Sequence, residues 1–188
     1  TDGDGDASIP FAEPPVGPYR FRKPQPARSW QGIRDATKST PACPQLMPTL
    51  RQSEDCLHLD IYTPSMNRIR QLSHKLPVIV WIFPGSHKNM LDMYDGSYLA
   101  ETHEQIIVSI NHRLGPFGFI SAEGADTNVG LFDQREALRW IARNIKYFHG
   151  DPDNITIMGE SSGAYSVLAH MAAREKQPGL FHKAIVMS

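Results

Sequence analysis

Short segments that are apolar on both faces constrain the fold of this chain more than any other feature of its sequence. Val78–Phe83 and Ile106–Ile110 are rich in β-branched residues, which predicts strands that are buried on both sides. Two further apolar strands are predicted at Ile155–Met158 and Ala184–Met187. Leu57–Tyr62 instead alternates apolar and polar residues, as a strand with one solvent-facing side does. Strands of this kind need other elements to cover both faces of their sheet.

A change in hydrophobic period predicts the helices that cover this sheet. Between Leu131 and Phe148, apolar residues recur at three- and four-residue spacing, and a second helix is predicted over Tyr165–Arg174. Asp133, near the start of the first helix, suits the helix dipole, and Gly150 is placed to cap its end in a left-handed conformation. Strands that alternate with helices indicate an α/β fold with a mostly parallel central sheet flanked by helices.

Composition and charge exclude several classes of protein. The chain has 19 Lys and Arg against 20 Asp and Glu, so it offers no basic face and is not expected to bind nucleic acid. Its longest apolar run, Val78–Phe83, is far shorter than the ~20 residues of a membrane helix, so no transmembrane segment is predicted. The histidines lack the paired spacing of a zinc site, and no metal is predicted.

The first 56 residues of the chain are rich in proline and contain both cysteines. Most of the 15 prolines precede residue 49, which predicts extended backbone without long helices. Cys43 and Cys56 are close enough in sequence to close a short disulfide loop, which is typical of an oxidising compartment. The alternative at this point is a pair of unrelated reduced thiols.

The chemistry is concentrated in one short motif, Gly159–Gly163, which reads G-E-S-S-G. It follows a predicted buried strand and precedes a predicted helix, the setting of a nucleophile elbow. A serine hydroxyl is a weak nucleophile and must be raised on a tight turn where a base can reach it. We therefore expect Ser161 to be a nucleophile, with glycines on both sides because side chains there would collide with neighbouring backbone. The N–H of Ser162 is expected to stabilise the oxyanion. The alternative is a serine in an ordinary glycine-rich turn.

Several blocks in order give the chain a family resemblance. The sequence resembles the type-B carboxylesterase and cholinesterase family of α/β-hydrolases. The blocks that carry this resemblance are Ile9–Gly17, Arg20–Arg22, Ser53–Leu57, Asn111–Phe119, Gly130–Gln134 and Phe148–Gly163.

The resemblance implies a fold, an activity and a location. It implies an α/β-hydrolase fold in which Ser161 is the nucleophile of a carboxylic-ester hydrolase that needs no cofactor. It also implies a Cys43–Cys56 disulfide, and with it a secreted protein or one in the lumen of the secretory pathway. Glu160 is expected near the substrate, where it would tune the site electrostatically. The alternative is a buried carboxylate satisfied by backbone donors.

One departure from the family pattern affects the oxyanion hole. Where the family usually has three glycines after a strand, this chain has Pro84, Gly85 and Ser86. The N–H groups of Gly85 and Ser86 are expected to donate together with that of Ser162. Ser86 carries a Cβ that resists the φ values open to glycine, and losing one donor costs a factor of about 10²–10³ in rate. His87, the next residue, is a candidate for lining the pocket.

The other departure is the missing remainder of the catalytic triad. In α/β-hydrolases the order along the chain is serine, acid, histidine, and only Glu175, His170 and His182 follow Ser161 as candidates. Their positions on or near the next helix and strand are not expected to reach the hydroxyl. The resemblance implies that residues 1–188 are the N-terminal part of a single catalytic domain, incomplete in this chain. The triad acid and histidine are then expected on a second polypeptide or in a missing part.

Two other functions and one modification stay open from the sequence. A non-catalytic binding or adhesion protein on an esterase scaffold is one alternative, and a repurposed cyclase or lyase with an altered oxyanion loop is the other. Asn154 begins a formal glycosylation sequon, but this sequon runs into a predicted buried strand, which disfavours its use.

Overall fold

The computed structural model describes residues 9–36, 41–46, 51–84, 95–176 and 178–188. Within these residues, six strands form one sheet in the order β1-β2-β4-β3-β5-β6. The strands are β1 (Ile9–Pro10), β2 (His58–Tyr62), β3 (Leu76–Ile82), β4 (Ile106–Ile110), β5 (Gly150–Glu160) and β6 (Lys183–Met187). The α-helices are α1 (Met66–Ile69), α2 (Ser97–His103), α3 (Gly115–Phe119), α4 (Val129–Asn144) and α5 (Ser162–Ala172).

The sheet is mostly parallel, as the alternation of strands and helices predicted. Strand β3 pairs in parallel with β4 and β5, and β5 pairs in parallel with β6. Strand β2 joins antiparallel to β4, and β1 joins antiparallel to β2 at one edge. Ile82 is in register with Gly159, and Glu160 with Met187. The carboxyl ends of β3, β5 and β6 therefore lie side by side at the same end of the sheet.

The hydrophobic core lies on the central strands, of which β4 is buried on both faces and β3 nearly so, whereas β5 alternates buried and half-buried residues. Every residue of β4 is buried, including the successive residues Ile106, Ile107 and Val108. Each fully buried Val, Leu or Ile side chain contributes about 1.5–3 kcal/mol, so these strands supply much of the folding free energy. Other fully buried side chains from the strands and α4 are Leu59, Leu76, Val78, Val80, Ile82, Ile110, Leu138, Ile141, Ile155 and Ile157.

The end of α4 corrects one prediction. The helix is followed by a 3-10 helix over Ile145–Phe148, so the chain is helical where the spacing predicted. Gly150 is not its left-handed cap: His149 takes that conformation, with φ 66°, and Gly150 begins β5. A Cβ at residue 150 would lie 2.6 Å from Cγ1 of Ile145, so glycine is needed there for close packing.

Asp133 stabilises the fold by a different contact from the one predicted. It lies beyond the first turn of α4 and is fully buried, where it forms an ion pair with Arg113. Its carboxylate accepts bonds from Nε of Arg113 at 2.8 Å, from Nη2 at 2.7 Å and from the backbone N–H at 3.1 Å. Nη2 of Arg113 also donates to the carbonyl of Arg22 at 2.7 Å. This pair fastens the N-terminal segment to the helix layer.

The proline-rich beginning of the chain is extended, as expected. Up to residue 57, the described residues form β1 and one 3-10 helix, Gly17–Tyr19, besides bridges and turns. Cys43 and Cys56 are both buried and joined by a disulfide with a Cα–Cα distance of 5.1 Å. The disulfide prediction is confirmed, and reduced thiols are excluded.

Two further sequence features have a defined place. Asn154 lies within β5, where its side-chain oxygen accepts a bond from Nζ of Lys183 at 2.9 Å, so the sequon is part of the sheet. Among the described residues, every helix is too short or too polar to cross a membrane.

Candidate active site

Ser161 stands on a sharp turn between a central strand and a helix. Strand β5 ends at Glu160 and α5 begins at Ser162, so Ser161 alone connects them. Its φ of 53° and ψ of −121° lie in a region that residues with a Cβ rarely adopt. A conformation of this kind costs about 1–3 kcal/mol and persists only where surrounding contacts hold it. The turn leaves Ser161 exposed at the carboxyl end of the sheet.

The flanking glycines are required by close backbone contacts. A Cβ at Gly159 would collide with the carbonyl group of Gly163. A Cβ at Gly163 would collide with the carbonyl oxygen of Ile82, on the neighbouring strand β3. Both glycines therefore serve the close approach that the motif predicted.

Backbone hydrogen bonds fix the strained serine from both sides. The N–H of Ser161 donates to the carbonyl of Met187 on β6 at 3.1 Å. The carbonyl of Ser161 accepts the N–H of Tyr165, one turn into α5, at 3.2 Å. The position of Ser161 thus depends on β6 as well as on the strand and helix that flank it.

A cavity of about 490 Å³ lies beside Ser161. Leucine, phenylalanine and alanine side chains make much of its wall, so it favours an apolar group next to the hydroxyl. Its described lining residues are His112, Leu114, Gly115, Phe119, Leu131, Ser161, Ser162, Tyr165, Ser166 and Ala169.

His112 is a part of this site that the sequence did not reveal. The structure buries His112, stacks its ring on that of Phe83 with centroids 4.6 Å apart and places it in the cavity wall. Its Nδ1 lies 3.2 Å from the carbonyl of Arg113, which can only accept, so Nδ1 carries the proton. Burial lowers the pKa of His112 to about 4, with a smaller contribution from His170. The imidazole is therefore neutral at physiological pH.

The predicted oxyanion donors are only partly within the described residues. Ser162 is the first residue of α5 and lines the cavity. Gly85 and Ser86, together with His87, lie outside the described residues. Strand β3 ends at Ile82, beside Gly159 in the neighbouring strand, so the chain leaves β3 at the same end of the sheet as Ser161.

Three other residues that the sequence singled out, Glu160, His170 and His182, have defined positions in the structure. Glu160 is half-buried and ends β5, but it is not among the described residues that line the cavity. His170 is buried, with Nε2 2.9 Å from Oε1 of Gln134. Nδ1 of His182 accepts the N–H of Ile155 at 3.2 Å. These bonds direct both histidines to other partners than Ser161.

Metal binding has no support in the described part of the chain. No group of three or more His, Cys, Asp or Glu side chains is arranged there to hold a metal ion. The chemistry that the described residues offer is that of an exposed serine beside an apolar cavity and a helix N-terminus.

A mostly parallel sheet whose central strand turns sharply through a serine into a helix defines an α/β-hydrolase. Comparison with known proteins gives the same class. A model of the carboxylesterase family matches residues 7–188. A solved structure named as a thermophilic PNB esterase superimposes with a TM-score of 0.83 at 41% identity, covering 98% of this chain and 41% of that one. The chain belongs to the carboxylesterase family.

Curated relatives agree with this assignment and are considerably longer. The chain is 43% identical to the para-nitrobenzyl esterase of Bacillus subtilis, over 96% of this chain and 39% of that protein. It is 43% identical to a cocaine esterase of Oryctolagus cuniculus and 40% identical to an acetylcholinesterase of Danio rerio. The alignments cover 96% of this chain in both cases, and 36% and 31% of those proteins. The chain thus spans about two fifths or less of each relative's length.

Proposed function

We propose that this chain carries the nucleophile of a serine carboxylic-ester hydrolase. Ser161 attacks the ester carbonyl, the alcohol leaves, and water releases the acid from the acyl-serine. The observation that carries the proposal is the exposed, strained Ser161 between β5 and α5, at the wall of an apolar cavity. Relatives named as esterases support the same reaction.

The oxyanion is stabilised by backbone donors. Ser162 begins α5, and the first turn of a helix presents N–H groups with no partner in the helical ladder. We assign the other donors to the N–H groups of Gly85 and Ser86, at the family's glycine positions. Pro84 has no N–H and makes no such contribution.

The base and the acid of the triad come from outside these 188 residues. Among the described residues, His170 and His182 bind other partners, and the relatives are more than twice as long as the aligned segment. A histidine from that further part takes the proton of Ser161 and returns it to the leaving alcohol. Intact mass spectrometry of the natural protein decides whether this part is continuous with the chain or a separate second polypeptide.

The substrate is a small-molecule ester with an apolar group. Leu114, Phe119 and Leu131 give the cavity an apolar wall, and His112 adds a neutral imidazole. The buried disulfide supports folding in an oxidising compartment, so we place the protein in the secretory pathway or outside the cell.

A fluorophosphonate probe tests this function on the intact protein that carries the chain. We expect covalent labelling of Ser161, located by peptide mass spectrometry, together with hydrolysis of p-nitrophenyl esters. Ser161→Ala should lose both signals. An unlabelled Ser161 in native protein would contradict the proposal. Turnover that survives Ser161→Ala would favour the lyase alternative instead.

A further inference from the structure

A buried line of polar side chains connects two helices behind the elbow. Nε2 of His170 lies 2.9 Å from Oε1 of Gln134, and Nε2 of Gln134 donates to Oγ of Ser166 at 3.1 Å. Oγ of Ser166 in turn donates to the carbonyl oxygen of Ser162 at 3.2 Å. The side chains of Gln134, His170 and Ser166 are all buried, and Gln134 is 0% exposed. We call these four residues the elbow relay.

The carbonyl oxygen of Ser162 determines which group donates in each hydrogen bond of the elbow relay. The carbonyl of Ser162 can only accept, so the hydroxyl of Ser166 must donate to it. That hydroxyl has one proton, so it accepts from the amide nitrogen of Gln134, whose oxygen then faces His170. Nε2 of His170 must therefore carry a proton. The carbonyl oxygen of Ser162 thus determines both the amide orientation of Gln134 and the tautomer of His170.

The relay holds the residue that follows the nucleophile. A serine hydroxyl that bonds the carbonyl four residues earlier is common in helices and by itself fixes little. Here the same hydroxyl also accepts from Gln134, which belongs to α4. The first turn of α5 is thereby fixed against a second helix, directly behind the strained Ser161.

We propose that Gln134 is a positioning residue that, through Ser166, keeps Ser162 in place as an oxyanion donor. This inference rests on the proposed esterase function. Gln134 is not itself among the described residues that line the cavity, so it acts through Ser166, which does line it. A shift of about 1 Å in the donor costs as much as 10²-fold in rate, because oxyanion stabilisation depends on donor geometry.

Gln134→Met in the intact protein is the most specific test. It keeps the side-chain volume of residue 134 and removes its hydrogen bonds to His170 and Ser166. Ser166 lines the cavity, so Ser166→Ala also changes a wall and is less specific. We expect Gln134→Met to lower kcat about 10- to 100-fold per titrated active site, with KM within about twofold. The affinity for a trifluoromethyl ketone, whose adduct places an oxyanion in the hole, should fall by the same factor as kcat/KM.

A control variant separates positioning from general stability. Ser109→Ala alters a buried serine on β4 that is not part of the relay, and it should leave kcat and analogue affinity unchanged. Active sites are counted by fluorophosphonate titration, so that only folded protein enters the comparison.

The outcomes also separate this inference from the proposed function. If Gln134→Met lowers the melting temperature but leaves kcat per site and analogue affinity within twofold, the positioning role is overturned. If the natural protein neither hydrolyses esters nor labels at Ser161, the proposed function falls, and this inference falls with it. A matched loss of kcat and analogue affinity in Gln134→Met, with Ser109→Ala unaffected, supports the role.

Discussion

Arg113 and Asp133 form an ion pair in which neither side chain is more than 3% exposed. Two guanidinium nitrogens face the two carboxylate oxygens, and the backbone N–H of Arg113 adds a third bond. Removing one partner of such a pair leaves an uncompensated buried charge, which is more costly than losing both. The pair therefore makes a direct prediction about stability.

We expect Asp133→Leu to lower the free energy of unfolding by about 3–5 kcal/mol, because Arg113 would stay buried without its counter-charge. The double variant Arg113→Met/Asp133→Leu should recover most of this loss. Urea denaturation of the intact protein measures both. Arg68 and Glu104 form an exposed pair at 2.7 Å, so Arg68→Met should cost less than about 1 kcal/mol. Equal losses in Asp133→Leu and Arg68→Met would contradict this interpretation.

The backbone strain at Ser161 predicts the relative stability of two variants at this position. Glycine adopts a φ of 53° and ψ of −121° without the penalty that a Cβ imposes. Ser161→Gly should therefore unfold with a free energy about 1 kcal/mol higher than Ser161→Ala, since strain relief exceeds the entropy cost of glycine. Both variants should be inactive. Thermal unfolding of the two proteins side by side tests the prediction, and a less stable Ser161→Gly would argue against strain at the elbow.

His112 predicts a loss of stability in mild acid. Its pKa is lowered by burial to about 4 from an ordinary value of 6.5. Between these two values the unfolded chain takes up a proton that the folded chain excludes, so stability falls as the pH falls. The contribution is fully present above about pH 6.5, and its loss reaches about 3 kcal/mol at pH 4.

Unfolding free energies measured from pH 7 to pH 4 should show this decline, and His112→Phe should weaken it. His103 is exposed at the end of α2, so His103→Gln is the matched control and should leave the decline unchanged. A decline of the same size in His112→Phe would assign the acid sensitivity to other groups.

The disulfide makes a prediction that depends on redox conditions. Cys43 and Cys56 close a loop with a sequence separation of 13, which restricts the unfolded chain by about 3 kcal/mol in the entropy model. Cys43→Ala/Cys56→Ala should be less stable by that amount and indifferent to dithiothreitol. The natural protein should approach the stability of the variant once it is reduced. No difference between oxidised and reduced protein would show that the bond contributes little.

The fold was predictable because its signals are local and periodic. Val78–Phe83 and Ile106–Ile110 could only be buried strands, and Gly159–Gly163 could be placed between a strand and a helix. The errors arose where packing decides. His149 takes the left-handed conformation expected of Gly150, and Gly150 instead serves a close contact with Ile145 that no local pattern specifies.

The position of Ser161 between a strand and a helix was predictable, and its role as nucleophile stays a prediction. His112 contacts Phe83 and Asp133 contacts Arg113, and both contacts join segments that are distant in sequence. The spacing of residues along the chain does not predict such contacts. For Gln134 a signal did exist. It precedes Ala137 by three residues and Leu138 by four, so it lies on the apolar face of its helix, where a polar side chain needs a buried partner. The roles of Gly85 and Ser86 stay predictions.

The hydrogen bond from Ser161 to Met187 sets an order of events during synthesis. Ser161 leaves the ribosome before Met187 does, so its N–H reaches its acceptor only when β6 has joined the sheet. Until then the strained turn lacks one of its two backbone restraints. Ser161 is thus translated before the strand that fixes it, and the turn gains both backbone restraints only after β6 has docked.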